Sequence, residues 1–419
     1  MHLHVIDTGD GLVDSPVRFQ VTGTSATTVD LDVYGVDANG RRWRSSGRHP
    51  VGGNGLLDIA DNDEPWVTMQ PVMTSRAVPT LFEACDSALE FTATASDGSE
   101  VSSTTLRRVW GRGLVCEDLR GPGWELHTYR PADDDSSLPG VIVVPGTMVT
   151  RSTWATAALF ASHGYATSVL AYTGRPGLPD SVARIPVEAI AHGIEAFTAR
   201  PYVDDGAVAI HASSIGVQTA LTTVAMTRSP LRAIVAVAPS HVVFQSLRTD
   251  GPPEQVSSLT HEGIDLPYVP VRAERLLGQV TMNMVRRSLL AGRSSMAMAT
   301  TKAYEAGLRD HHAVADAAIP VERIDCPILA IAGTNDRCYP AAEMARAIID
   351  RRIRLGADRC ADDELLIYPR VGHFIRPPAV PTTVTRSAGL IGGGAPEDVA
   401  TAQRHAWTRT LEFLLEHLS

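Results

Sequence analysis

The sequence predicts an α/β chain in which an all-β domain precedes a parallel sheet covered by helices on both faces. Three observations carry that expectation. Short runs of alternating hydrophobicity separated by turn residues fill about 15–110. Continuous apolar runs of strand length then alternate with helical segments of 10–15 residues. That rhythm breaks once, at about 241–322, and then resumes.

In the first part, Val17 to Val21 and Thr28 to Tyr34 read as strands, followed by an Asn39-Gly40 turn. Further strands are expected at Leu56 to Ile59, Trp66 to Met69, Leu89 to Ala93 and Val101 to Val109, with Asp97-Gly98 between the last two. Strands at this spacing, with almost no helical periodicity, form a β-sandwich of about a hundred residues. Gly111, Gly113, Gly121 and Gly123 lead out of it, Trp124 to Tyr129 is strand-like, and Ala132 to Pro139 is polar and turn-forming.

Gly140 to Val144 is then apolar throughout, as a strand buried on both faces must be. A helix over Thr153 to His163 stops at Gly164, which can take the left-handed conformation beyond a helix end. Strands are expected at Ala166 to Tyr172, Ala207 to Ala212, Ala233 to Ala238, Pro327 to Ala332 and Leu365 to Tyr368. Helices are expected at Val187 to Thr198, Ser214 to Met226, Ala341 to Ile353 and Pro396 to Leu418. The interrupting segment holds Pro252-Pro253, Pro267, Pro270 and a Met- and Arg-rich helical stretch, Met282 to Met298. An insertion of this kind above a sheet reads as a lid or substrate cap. The domains are therefore placed at 1–113 and 114–419.

Composition narrows the function classes. The 419 residues are 44% hydrophobic and 20% charged, an ordinary globular balance. A net charge of −10 argues against nucleic acid as a partner. Lys302 is the sole lysine, which reads as the codon bias of a GC-rich bacterial genome. Cys85, Cys116, Cys326, Cys338 and Cys360 form no CxxC pair, so scattered thiols in a reducing compartment are expected. No signal-like N-terminus is visible, and runs such as Ile234 to Pro239 are too short for a bilayer. A cytoplasmic protein without membrane association is the expectation.

The chemistry is concentrated in Ala207-Val208-Ala209-Ile210-His211-Ala212-Ser213-Ser214-Ile215-Gly216-Val217. A strand running directly into a helix makes a sharp, strained turn, with room only for small side chains two residues either side of its centre. Centring on Ser214 places Ala212 and Gly216 there, whereas centring on Ser213 places His211 and Ile215. Ser214 is therefore the candidate nucleophile. The plain alternative is a helix N-cap, for which serine is equally suited. A serine nucleophile needs a base, and the base an orienting carboxylate, here in the order serine, acid, histidine at successive strand ends. Asp336 follows one strand in Gly333-Thr334-Asn335-Asp336, and His373 follows the next in Arg370-Val371-Gly372-His373. The oxyanion donors would be the backbone N–H of Ile215 and one from the loop Pro145-Gly146-Thr147-Met148, at Gly146 or Thr147.

Other signals are weak. His311-His312 beside Asp310 lack a third metal ligand in the pattern and read as a solvated helix face, while His2 and His4 lie at a terminus. Arg41, Arg42, Arg44 and Arg48 have the charge to meet a phosphate, but arginine is the default basic residue here. No Walker loop or dinucleotide fingerprint occurs, and the expected chemistry needs no metal or redox cofactor.

At these residues the chain resembles the acyl-CoA thioesterases and bile acid-CoA:amino acid N-acyltransferases. Leu12-Val13-Asp14-Ser15-Pro16-Val17 with Val21-Thr22-Gly23 is similar to the opening of that family's immunoglobulin-like sandwich. Pro139 to Val143, and Gly164-Tyr165-Ala166 through Leu170-Ala171-Tyr172, are similar to the start of its α/β-hydrolase domain. The most telling stretch is Tyr368-Pro369-Arg370-Val371-Gly372-His373-Phe374-Ile375-Arg376-Pro377-Pro378, followed by Gly392-Gly393-Gly394, Ala402-Gln403 and Ala406-Trp407.

The resemblance implies acyl transfer from a thioester through an acyl-enzyme; the sequence leaves open whether coenzyme A or a carrier protein bears the thiol. Serine at the nucleophile position implies hydrolysis, cysteine aminolysis. Two departures stand out: Ala212 replaces the usual glycine, and the oxyanion loop is reduced to Gly146-Thr147-Met148-Val149. The expected activity is a serine acyl thioesterase. Alternatives are an acyltransferase to an amine or alcohol, an esterase or peptidase, and a silent binding protein.

Overall fold

The computed structural model describes all residues except 8–10, 16, 38–39, 60–64, 73–85, 109–110, 112, 133–135, 247–253, 291–296, 379 and 388. Asn39, Cys85, Val109, Pro252-Pro253, Pro16 and parts of the 132–139 and 282–298 stretches lie outside the described residues. The chain divides into two compact units. One comprises Met1–Gly111 with Arg376–Thr385 and Ala395–Arg404; the other comprises Arg112–Ile375 with Arg386–Gly394 and His405–Ser419.

In the first unit, β1 (His2–Asp7), β2 (Val17–Thr22), β3 (Thr28–Val36), β4 (Arg42–Pro50), β5 (Leu57–Ile59), β6 (Gln70–Pro71), β7 (Asp86–Ala95) and β8 (Glu100–Arg108) form two antiparallel sheets. Their orders are β1-β2-β5 and β6-β4-β3-β7-β8. Phe19, Val21 and Leu57 from one sheet share a core with Leu31, Trp43, Phe91 and Ala93 from the other, so the sheets pack as a sandwich. Burying each large side chain contributes about 1.5–3 kcal/mol.

β1 and β4 are additional to the expected strands. In β4 only Trp43 and Ser45 are fully buried, and the arginines on its open face mask the alternation. Arg44 and Arg48 pair across to Asp32 and Asp30 at 2.8 and 2.6 Å, which accounts for them without a phosphate. Trp66 to Met69 is not the expected strand: Pro65 O accepts from both Thr68 N and Met69 N, closing a turn before β6.

The second unit opens with β9 (Leu114–Gly121) and β10 (Trp124–Pro131), an antiparallel hairpin. There follow β11 (Leu138–Val144), α1 (Arg151–Ser162), β12 (Ala166–Ala171), β13 (Ile185–Pro186), α2 (Val187–Thr198), β14 (Val203–Ser213), α3 (Ile215–Thr227) and β15 (Ala233–Val237). The segment after β15 carries β16 (Leu259–His261), β17 (Ile264–Asp265), α4 (Leu277–Leu289), α5 (Thr301–Leu308) and α6 (His311–Asp316). Then come β18 (Ile328–Gly333), α7 (Ala341–Leu355), β19 (Glu364–Tyr368), β20 (Arg386–Ser387), β21 (Leu390–Ile391) and α8 (Pro396–Leu418). The helical stretch read at Met282 to Met298 is α4, displaced toward the N-terminus. Asp310 caps α6 by accepting from Ala313 N at 3.1 Å, which explains its place beside His311-His312.

One eight-stranded sheet runs β19-β18-β15-β14-β11-β12-β10-β9. From β12 to β19 every neighbouring pair is parallel. β12, β15 and β18 are buried along their whole length because helices cover both faces, which is why their sequences are apolar without alternation. Below β18, the fully buried Arg352 donates to the Val321, Ile324 and Cys326 carbonyls and, at 2.7 Å, to Asp363, which accepts from Ile328 N. This network fixes where β18 begins. The loops leaving the C-terminal ends of parallel strands are where such sheets place their ligand-binding groups.

Candidate active site

β14 ends at Ser213 and α3 starts at Ile215, leaving a single residue for the turn. Ser214 takes φ 56° and ψ −132°, a conformation costing about 1–3 kcal/mol for a non-glycine residue. Its surroundings impose it. Ser214 N donates to Val237 O at 2.8 Å, and Ser214 O accepts from Val217 N at 2.9 Å. A side chain at Gly216 would meet Pro145 O at 2.1 Å, so only glycine lets the helix approach β11. Ala212, fully buried, lies in register with Val144 and Ala236. The Ser214 hydroxyl makes no capping bond to the helix, which sets the N-cap reading aside. It stands 2.9 Å from His373 Nε2.

His373 follows β19 and Asp336 follows β18, and the two side chains are 4% and 2% exposed. His373 Nδ1 lies 2.7 Å from Asp336 Oδ2. The other carboxylate oxygen, Oδ1, accepts from Cys338 N at 2.7 Å and Tyr339 N at 3.2 Å. Both oxygens are thus held, one by backbone and one by the ring. Four backbone bonds carry the two loops: Thr334 N to Tyr368 O, Asn335 N to Val371 O, and Arg337 N and His373 N both to Gly392 O. A Cβ on Gly372 would sit 2.2 Å from Gly393 O, and one on Gly393 2.2 Å from Asn335 O. The Gly392-Gly393-Gly394 run is a backbone clasp under the acid and the histidine.

Of the expected oxyanion residues, Ile215 heads α3, where the first N–H groups have no acceptor inside the helix. Gly146 lies beside Ser214, since a Cβ there would be 3.5 Å from Ser214 Cβ. The loop's carbonyls are turned toward the end of β12. Tyr172 OH donates to Pro145 O and Gly146 O at 3.0 and 2.5 Å, and Thr173 Oγ1 donates to Thr147 O at 2.8 Å.

Tyr339 is the residue the sequence gives no sign of. Its phenol donates to Ala238 O at 2.6 Å and lies 3.4 Å from Ser214 Oγ, while its ring meets the His373 ring edge-on at 5.0 Å. Burial pushes its ionisation well above the usual phenol value, so it stays a neutral donor. It ties the left-handed Ala238 (φ 48°) to the nucleophile turn. Removing the hydroxyl as Tyr339→Phe should lower kcat about tenfold with KM unchanged, as expected for misplacement of the reacting atoms rather than lost binding. Steady-state kinetics check this.

Among the described residues, one cluster has metal-ligand composition: Asp336, Cys338 and His373. Its donors do not fit a metal. Asp336 and His373 are already closed on one another, and burial, followed by the Asp336 charge, raises the Cys338 thiol so that it stays protonated and donates to Ile391 O. His211 does not join the site. It packs on Phe160, and burial lowers it to about 4, leaving it neutral.

The strand order, the single-residue turn after β14 and the acid and histidine after β18 and β19 define an α/β-hydrolase. More narrowly, the chain belongs to the family described as BAAT / Acyl-CoA thioester hydrolase C terminal, which matches residues 185–419. It is 23% identical over 267 residues to mouse acyl-coenzyme A amino acid N-acyltransferase 2 and 25% identical over 273 residues to mouse peroxisomal succinyl-coenzyme A thioesterase. Each match covers 62% of this chain and 56% of the relative, so the chain spans little more than half the length of these curated relatives. Among solved structures, it is similar to a dienelactone hydrolase-like promiscuous phosphotriesterase from metagenomic libraries, at 17% identity and a TM-score of 0.44, covering 73% of this chain and 100% of that one. No helix among the described residues is long and apolar enough to cross a membrane.

Proposed function

We propose that the protein is a serine acyl thioesterase, cleaving an acyl thioester through an acyl-enzyme on Ser214. The observation that carries this reading is the line from Ser214 through His373 to Asp336, at 2.9 and 2.7 Å, on a strained turn. Ser214 Oγ attacks the thioester carbonyl carbon as its proton passes to His373 Nε2. The backbone N–H groups of Ile215 and of Gly146 or Thr147 hold the oxyanion. The C–S bond breaks, and the leaving sulfur takes the proton from Nε2. Water then enters, gives a proton to Nε2 and attacks the acyl carbon. The C–Oγ bond breaks, Ser214 recovers the proton and the carboxylic acid leaves. Asp336 holds the Nδ1 proton in place and stabilises the imidazolium. Free thiols at Cys116, Cys326, Cys338 and Cys360 support a reducing, cytoplasmic setting.

Because the relatives include N-acyltransferases, the second nucleophile must be tested directly. Purified protein with octanoyl-coenzyme A should release free octanoate at a rate unchanged by added glycine or other amine and alcohol acceptors. It should also prefer the thioester over a matched oxygen ester. An acceptor-dependent amide or ester outrunning the free acid overturns hydrolysis, and an oxyester preference overturns the thioester assignment.

A further inference from the structure

α4 is held to the rest of its unit by polar contacts. Gln279 bonds both the carbonyl and the N–H of Ala299, at 2.8 and 3.1 Å, and Asn283 Nδ2 donates to Ala297 O at 3.3 Å. None of its residues is buried. Leu277, Met282, Met284, Val285, Leu289 and the following Leu290 stand in water, from 49% exposed at Val285 to 79% at Leu289. Exposed apolar side chains gathered on one short helix are a feature of interaction surfaces.

Four exposed arginines accompany it: Arg272 and Arg275 just before α4, and Arg286 and Arg287 on it. Several guanidiniums of this unit hold carboxylates, as those of Arg175, Arg184, Arg200, Arg351 and Arg409 do. No side-chain partner is described for these four. Glu274 is the sole acid between 272 and 290, so a chain of net charge −10 presents here a positive, apolar face. The segment beneath α4 is bonded on to the loop that carries Asp336. The segment that receives Gln279 and Asn283 continues through Met298, bonded to Gly389 and Ile391, to Thr300 N on Arg337 O and Thr301 Oγ1 on Asp336 O.

We propose that α4 and its arginines dock an acidic acyl-carrier domain, which presents its acyl thioester on a pantetheine arm to Ser214. The inference rests on the thioesterase reading and names the thiol carrier for it. Carboxylates on the partner match the guanidiniums, and an apolar helix face matches the Met, Leu and Val side chains. Free coenzyme A would meet the arginines but leave the apolar surface in water. A second copy of this chain would set the same arginines against each other across a two-fold axis.

The test compares octanoyl-loaded bacterial acyl carrier protein with octanoyl-N-acetylcysteamine, a thioester without a protein carrier, on the wild type and on M284D/R286E/R287E. The variant should lose about tenfold or more in kcat/KM on the carrier substrate and keep its rate on the small thioester. Calorimetric binding of the loaded carrier to Ser214→Ala protein should be lost when the α4 changes are added, which reports docking whether or not turnover occurs. Unchanged carrier binding, or no carrier binding at all, overturns the inference. So does an equal fall on both substrates, a dimer that dissociates in the variant, or α4-dependent binding to phosphatidylglycerol vesicles. Failure of the wild type to cleave octanoyl-N-acetylcysteamine, with carrier binding intact, strikes the thioesterase reading and leaves the docking face standing.

Discussion

Ser214→Ala is expected to lower kcat by at least about 10⁴-fold and to abolish labelling by a fluorophosphonate, while Ser213→Ala keeps both. The hydroxyl 2.9 Å from His373 Nε2 belongs to Ser214 alone, and Ser213 is the last residue of β14. Folding should be untouched. The hydroxyl caps nothing in α3, and alanine occupies the left-handed turn at much the same cost as serine. A thermal midpoint equal to the wild type, with turnover gone, separates loss of a nucleophile from loss of structure. Labelling that persists in Ser214→Ala would remove the acyl-enzyme from the mechanism.

Asp336→Asn should be nearly as damaging, about 10⁴-fold in kcat, because the protein leaves the new amide no choice of orientation. Cys338 N and Tyr339 N both donate to Oδ1, so that position must be filled by the amide oxygen. The NH₂ group then occupies the Oδ2 position and donates to His373 Nδ1. An imidazole accepting at Nδ1 carries its proton on Nε2, where it faces Ser214 and cannot take the serine proton. KM for the thioester should change little, since Asp336 is buried behind the ring. Retention of more than about a tenth of wild-type kcat would mean that histidine orientation is secured by other contacts, such as the edge-on Tyr339 ring.

The parts that were legible in the sequence are those where local chemistry and position coincide. The turn at Ser214 could be centred because only small residues fit two positions away, and Gly216 against Pro145 O shows the constraint at full force. Asp336 and His373 could be placed because apolar strands announce themselves and their exits follow. Tyr339 was not legible: its phenol matters because Ala238 O and Ser214 lie opposite it, and nothing in the adjacent Arg337-Cys338 signals that meeting. Tyr172 ends an apolar run in the sequence, yet its role depends on a loop 26 residues earlier. β4 escaped because cross-strand ion pairs place arginines where alternation would show, and Trp66 to Met69 misled because a turn can bury apolar side chains as a strand does. α4 lies earlier than the Met- and Arg-rich stretch suggests, since its glutamine and asparagine anchors, not an apolar stripe, fix its position.

The glycine clasp has a consequence for the order of events during synthesis. Arg337 and His373 both spend their amide hydrogens on the carbonyl of Gly392, and Asn335 closes over Gly393. A nascent chain that has already released the nucleophile turn, the acid and the histidine from the ribosome still lacks the backbone that sets the last two. Under the proposed mechanism, translation products that stop short of residue 394 are expected to carry Ser214, Asp336 and His373 yet lack the backbone that sets the last two.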